Sequence, residues 1–138
     1  MAAIRCGGAG DLDDVAAIQR RSPEAATWNV TDYLSHEFLV AVAGKQIVGF
    51  LVWRLVAADE GEILNLAVVP EWRRKGVARE LLNGALAGFR GDVFLEVRES
   101  NWNARRFYDL LGFQQLSRRE KYYEEPPEAA IVLKFHSC

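Results

Sequence analysis

The sequence predicts an α/β fold: a mixed, mostly antiparallel sheet with helices packed on it. Three observations carry that expectation. Hydrophobic segments of strand length recur at 3–6, 38–43, 46–57, 62–69, 93–98, 115–119 and 129–135. Between some of them the apolar residues recur at helical spacing, as at Val77, Leu81, Ala85 and Phe89. The run from 62 to 98 reads strand, loop, helix, strand, which requires a parallel pair joined by a right-handed crossover.

At 138 residues and half hydrophobic, the chain suits one compact domain, 1–138, with a sizeable core. A net charge of −2 argues against a nucleic-acid surface, since the cations cluster locally at 73–75, 105–106 and 118–121. Cys6 and Cys138 form no metal or redox spacing and no disulfide framework, which fits a reducing cytosol. His36 and His136 show no ligand spacing, so no metal is expected. The first five residues lack a signal-peptide core, and the longest apolar run, 48–53, is far too short to span a bilayer. A soluble, cytoplasmic protein is the expectation.

Taken in order, a short first strand at 3–6 leads through a glycine turn to Asp11, a good N-cap for a helix burying Leu12, Val15 and Ile18. Gly8 and Gly10 begin a dinucleotide fingerprint, but Asp13 stands where its third glycine belongs, so that reading is rejected. A loop at 22–28 follows, and Thr31 is read as the cap of a short helix through Leu34. Strands 38–43 and 46–57 form a hairpin across Gly44-Lys45, and 59–61 turns the chain into 62–69. A helix at 76–87, ended by Gly88 and Gly91, precedes the strand at 93–98. Asn101 or Asn103 caps the next helix, which Gly112 closes with Phe113 packing back. Strands 115–119 and 129–135 end the fold, separated by a loop through Pro126-Pro127.

The stretch after the strand at 62–69 carries the strongest chemistry. Pro70 stops a hydrophobic strand, Arg73, Arg74 and Lys75 follow, and Gly76 opens a helix. The first N–H groups of a helix have no partners within it, and with the helix dipole they make an anion site. Gly76 would let a ligand approach the backbone closely, so this is a candidate pyrophosphate cradle; a solvated basic loop is the plain alternative. Glu96 lies mid-strand, on one face with Phe94 and Arg98. A carboxylate there is either ion-paired, for instance with Arg98, or a general base. Tyr108 borders an apolar helix stripe, as a core residue or as a proton donor. Tyr122-Tyr123 with Glu124-Glu125 is either solvated loop or an aromatic, acidic wall suited to an amine.

These pieces together resemble the Gcn5-related N-acetyltransferases (GNAT). Arg73-x-x-Gly76-x-Ala78 is similar to that family's acetyl-CoA signature. Asn101-x-x-Ala104-x-x-x-Tyr108-x-x-x-Gly112-Phe113 resembles its second motif at the right distance downstream. The run 95–101 and the Tyr122-Tyr123 pair look most like the ribosomal-protein-alanine (RimI-type) branch. The resemblance implies a sheet whose central parallel pair splays, with helices on both faces. It implies acetyl-CoA as cosubstrate, its pantetheine paired with Leu66-Ala67-Val68. Its pyrophosphate would lie in the loop of Arg73, Arg74, Lys75, Gly76, Val77 and Ala78, with Asn101, Ala104 and Tyr108 flanking it. Glu96 would take a proton from the incoming amine, Tyr108 would give one to the leaving thiolate, and a backbone N–H near Val68 would steady the oxyanion. No acyl-enzyme is implied. Tyr122, Tyr123, Glu124 and Glu125 would receive the acceptor, a protein or peptide N-terminus.

One departure bears on the acceptor. Branch members commonly carry an acid where this chain has Ala129, and the task would pass to Glu124, Glu125 or Glu128. The alternatives are a lysine or small-amine acetyltransferase on the same fold, or a module that binds acetyl-CoA without turnover.

Overall fold

The computed structural model describes residues 2–124 and 126–137, with Lys121 and Glu124 described by backbone alone. Among the described residues there are seven strands: β1 (Ala3–Cys6), β2 (Glu37–Ala43), β3 (Gln46–Ala57), β4 (Glu60–Val68), β5 (Gly91–Arg98), β6 (Gln114–Glu124) and β7 (Pro127–Ser137). The three α-helices are α1 (Leu12–Arg21), α2 (Val77–Ala85) and α3 (Trp102–Leu110). The strands form one sheet in the order β1-β2-β3-β4-β5-β7-β6, and β4–β5 is its parallel pair.

Local chemistry explains most of the boundaries. Pro70 turns the end of β4 into a 3-10 turn, with Trp72 N–H donating to Val69 O at 3.0 Å. Asn101 caps α3, its Oδ1 accepting the Ala104 N–H at 3.0 Å. At the other end Phe113 N–H donates back to Tyr108 O at 3.0 Å, and the two rings meet edge-on at 5.3 Å. Helix α2 buries Val77, Leu81 and Leu82 against the β2–β4 part of the sheet. Each such side chain, with Phe50, Leu51 and Leu66 beneath, contributes roughly 1.5–3 kcal/mol through burial.

Three expectations are corrected. Asp11 stands at the N-cap of α1 as expected, but its side chain makes no capping bond; its carboxylate turns back to the Gly8 N–H and the Arg5 guanidinium, each at 2.9 Å. The 3-10 turn Val30–Ser35 is capped by Asn29, whose Oδ1 accepts from Thr31 N–H at 3.2 Å, so Thr31 lies inside the element. The expected loop between the last two strands is itself sheet. Strand β6 runs on to Glu124, and Pro127 occupies the first position of β7, where its missing N–H costs no ladder bond. Among the described residues, no helix is long and apolar enough to cross a membrane.

Candidate active site

The β4–β5 ladder is short. It pairs Glu60 with Asp92, Gly61 with Val93 and Glu62 with Phe94, and stops there. Beyond that point β4 keeps its bonds to β3 as far as Val68, and β5 keeps its bonds to β7 as far as Arg98. The two strands therefore diverge inside a continuous sheet and leave a wedge. Its edges are 63–68 on one side and 95–98 on the other.

At the wide end of the wedge lies a cavity of about 410 Å³, lined by Val68, Arg73, Arg74, Gly76, Val77 and Ala78. Gly76 sits at φ +81°, a left-handed conformation that glycine adopts without strain, and no side chain caps α2 behind it. The first N–H groups of α2 therefore lie beside the cavity with the positive end of the helix dipole. Arg74 is at φ +62°, and a non-glycine residue held there stores roughly 1–2 kcal/mol of strain. Lys75 lies with its Nζ 5.4 Å from the Trp72 ring centroid. Helix α3 supplies the facing wall through Asn103, Arg106, Phe107 and Leu110. Leu66 and Ala67 are fully buried in β4, Asn101 is committed to its cap, and Ala104 is buried in the core.

Arg73 lines this cavity, and its guanidinium is engaged within the chain. Its Nη2 donates to Glu24 Oε1 and its Nε to Val68 O at 3.3 Å. Glu24 comes from the loop after α1, is only 3% exposed, and accepts the Val68 N–H through Oε2 at 3.4 Å. Asn65, 2% exposed, pins that same loop to β4: its Oδ1 accepts from Ala26 N–H at 3.1 Å and its Nδ2 donates to Ala26 O at 2.9 Å.

A second cavity of about 360 Å³ adjoins the closed end, lined by Glu60, Glu62, Phe94, Glu96 and Val132. Strand alternation holds as expected, with Val93, Leu95 and Val97 buried and Phe94, Glu96 and Arg98 on the other face. The cation on Glu96 is Arg119 rather than Arg98: Arg119 Nη1 donates to Glu96 Oε1 at 2.8 Å. Arg119 in turn stacks on Tyr122, its guanidinium carbon 4.2 Å from the ring centroid. Glu96 Oε2 is buried and accepts no hydrogen bond of normal geometry among the described residues. The Glu96 charge is the main cause pushing the Tyr122 phenol up, while burial and then Glu96 push up Tyr123. Both tyrosines thus stand close to this carboxylate. Arg98 stacks on Tyr123 at 4.3 Å.

Glu128, one of three acids offered for the acceptor, is bonded within the chain. Its Oε2 accepts the Ser100 N–H at 2.5 Å and its Oε1 the Arg98 Nη1 at 3.4 Å, which ties the β6–β7 hairpin to the start of α3. The Ser100 bonds hold its carboxyl below the usual range. Glu125 and the Glu124 side chain lie outside the described residues.

Tyr108 is 3% exposed and its hydroxyl has no hydrogen-bond partner among the described residues. Burial pushes the phenol up, with the Glu24 and Tyr33 charges adding to the shift. Tyr108 thus senses Glu24 across the core.

Sequence reasoning missed Glu24, Arg119, Asn103 and Arg106. Of the buried polar residues, Asn65 alone carried a visible signal, a lone amide inside the apolar run 63–67.

An opening inside a mixed sheet, faced by an uncapped helix start, is the architecture of CoA-dependent N-acyltransferases. The chain belongs to the acetyltransferase (GNAT) family, whose sequence profile matches residues 12–113. It is similar to an N-alpha-acetyltransferase of Saccharolobus solfataricus, 27% identical over 70% of this chain and 68% of that one. The [ribosomal protein bS18]-alanine N-acetyltransferase of Escherichia coli is 32% identical over 89% of each chain. The crystal structure of Ard1 from Thermoplasma volcanium superposes with a TM-score of 0.83 at 26% identity, over 99% of this chain and 98% of that one. The protein is thus a GNAT N-acetyltransferase, and acetyl-CoA is its cosubstrate. Among the described residues no cluster of side chains could hold a metal ion.

Proposed function

We propose that the protein transfers acetyl directly from acetyl-CoA to the α-amine of a protein or peptide N-terminus, a ribosomal protein being one such acceptor. The observation that carries this reading is the wedge, with an anion cradle at its wide end and an under-satisfied carboxylate, Glu96, on its other edge. The pyrophosphate sits on the N–H groups that open α2, and the pantetheine runs along β4 toward Val68. The acceptor enters beside Tyr122 and Tyr123. The named activities of the relatives support an N-terminal acceptor. The exposed free Cys6 suits the reducing cytoplasm where such acceptors are made.

The chemistry balances without an acyl-enzyme. Glu96 Oε2 takes the ammonium proton, directly or through water, and the freed amine attacks the acetyl carbonyl. A C–N bond forms, the nitrogen of the tetrahedral adduct gives its second proton to water, the C–S bond breaks, and the thiolate leaves toward Tyr108. Burial keeps the Tyr108 phenol protonated, and it also makes full transfer to a thiolate, with a pKa of about 8.5, uphill. Tyr108 therefore acts mainly as a hydrogen-bond donor to the departing sulfur, and the proton follows once the sulfur reaches solvent.

An α-amine has a pKa of about 8 and lysine about 10.4, which leaves roughly 250-fold less neutral amine for lysine near pH 7. A small first side chain such as alanine is preferred, because the amine must enter between two strands. The test compares a peptide with a free N-terminal alanine against its N-blocked copy carrying one lysine, using labelled acetyl-CoA. Faster acetylation of the free N-terminus is expected. Faster acetylation of the blocked lysine peptide, or of a free polyamine, overturns the assignment.

A further inference from the structure

Where the β4–β5 ladder stops, two β4 backbone N–H groups face the wedge, and the chain satisfies both from its own side chains. Leu66 N–H donates to Asn65 Oδ1 at 3.1 Å, and Val68 N–H donates to Glu24 Oε2 at 3.4 Å. The next N–H along, that of Val69, points the other way and donates to Val48 O at 2.9 Å. A buried N–H without a partner costs about 1–3 kcal/mol, so these side chains offset the expense of opening the sheet.

The two bonds differ in kind. Asn65 is fixed by further bonds to Ala26 and Tyr33, whereas Glu24 holds Val68 only loosely, at a distance beyond the usual 2.7–3.2 Å. Glu24 also divides its oxygens. Oε1 is paired with Arg73 and Oε2 with Val68, so the carboxylate keeps a charged partner if it gives up the N–H. Glu24, Val68 and Arg73 line the same cavity as Gly76 and the start of α2.

We propose that Glu24 is an internal placeholder for the acyl oxygen of acetyl-CoA. It occupies the Val68 N–H in the free enzyme and yields it to the thioester carbonyl, so it sets how the site distinguishes acetyl-CoA from CoA. The inference rests on the reading that the thioester arrives beside Val68. CoA ends at its thiol and asks nothing of that N–H, whereas acetyl-CoA must displace a carboxylate from it. Arg73 serves as the anchor that holds Glu24 in reach.

Two measurements test this. In Glu24→Gln the charge is gone and the competition weakens, so calorimetry should show the affinity ratio of acetyl-CoA to CoA rising at least threefold. An unchanged or lower ratio in the folded variant overturns the placeholder. The second measurement needs no variant: amide spectra of the wild-type protein titrated with CoA and with acetyl-CoA. Both ligands should move Gly76 and Ala78, and acetyl-CoA alone should strongly move Val68. If Gly76 and Ala78 stay still, the cofactor reading itself fails, and the placeholder with it. If they move but Val68 responds alike to both ligands, the placeholder alone is overturned.

Discussion

Two glycines in the same backbone conformation separate the cost of strain from the cost of losing the cofactor. Gly76 has φ +81° and Gly44 φ +63°, and a Cβ added at either would meet nothing within 4 Å. Gly76 lines the wide cavity, while Gly44 turns the β2–β3 hairpin and lines neither cavity. Valine at either position is forced into the left-handed region at a cost of about 1–2 kcal/mol. In a chain of this size that lowers Tm by roughly 3–8 °C. The two variants should therefore be destabilised alike. They should differ in acetyl-CoA binding, because the Gly76→Val side chain projects into the open space where the pyrophosphate approaches the backbone. A loss of at least tenfold, about 1.4 kcal/mol, is expected for Gly76→Val and none for Gly44→Val. Thermal melts and calorimetry on both proteins check this. Normal affinity in Gly76→Val would refute the cradle, and an equal loss in Gly44→Val would show that binding merely follows stability.

Glu96→Gln keeps the side-chain shape and removes the base, so turnover should fall by roughly 10²–10⁴ with little change in acetyl-CoA affinity. Full activity in that folded variant would make the Glu96–Arg119 pair purely structural. Tyr108→Phe should cost less, about tenfold, because one hydrogen bond to the leaving sulfur is lost rather than a proton acceptor. Single-turnover rates compare the two variants. A larger loss for Tyr108→Phe would contradict the uphill proton transfer argued for its phenol. Burial pushes Tyr33 up to about 12 and pushes Tyr108 up as well, so the folded protein binds these protons more tightly than the unfolded chain. Their stabilising effect is complete below about pH 10, the ordinary tyrosine value, and is lost as pH rises through the folded values. Urea melts should show stability falling above about pH 10, with phenolate absorbance from these two rings appearing only on unfolding.

Much of the frame was legible because single residues dictate it locally. Pro70 cannot continue a strand, Gly76 takes a left-handed start, and Asn101 and Phe113 bracket α3, so the segment 62–113 could be read almost in order. The hairpin of β6 and β7 was misread for a physical reason. Its distal half is polar and contains Pro126-Pro127, without the alternation that marks a half-buried strand. It is held by ladder bonds and by guanidinium–tyrosine stacks at Tyr122 and Tyr123. The site was legible where one element carries it, as with Glu96 on β5. It was hidden where distant elements meet. Glu24 lies 44 positions from Val68 and 49 from Arg73, in a loop with no motif of its own. Arg119 reaches Glu96 from 23 positions away, across β7, which lies between β6 and β5 in the sheet.

Direct transfer across the wedge is the central claim, and its most direct test is the initial-rate pattern with acetyl-CoA and a peptide bearing a free N-terminal alanine. Transfer within a ternary complex predicts intersecting double-reciprocal lines, with no mass increase when the protein meets acetyl-CoA alone. Parallel lines, together with an acetylated protein that passes its acetyl group to the peptide, would contradict the account.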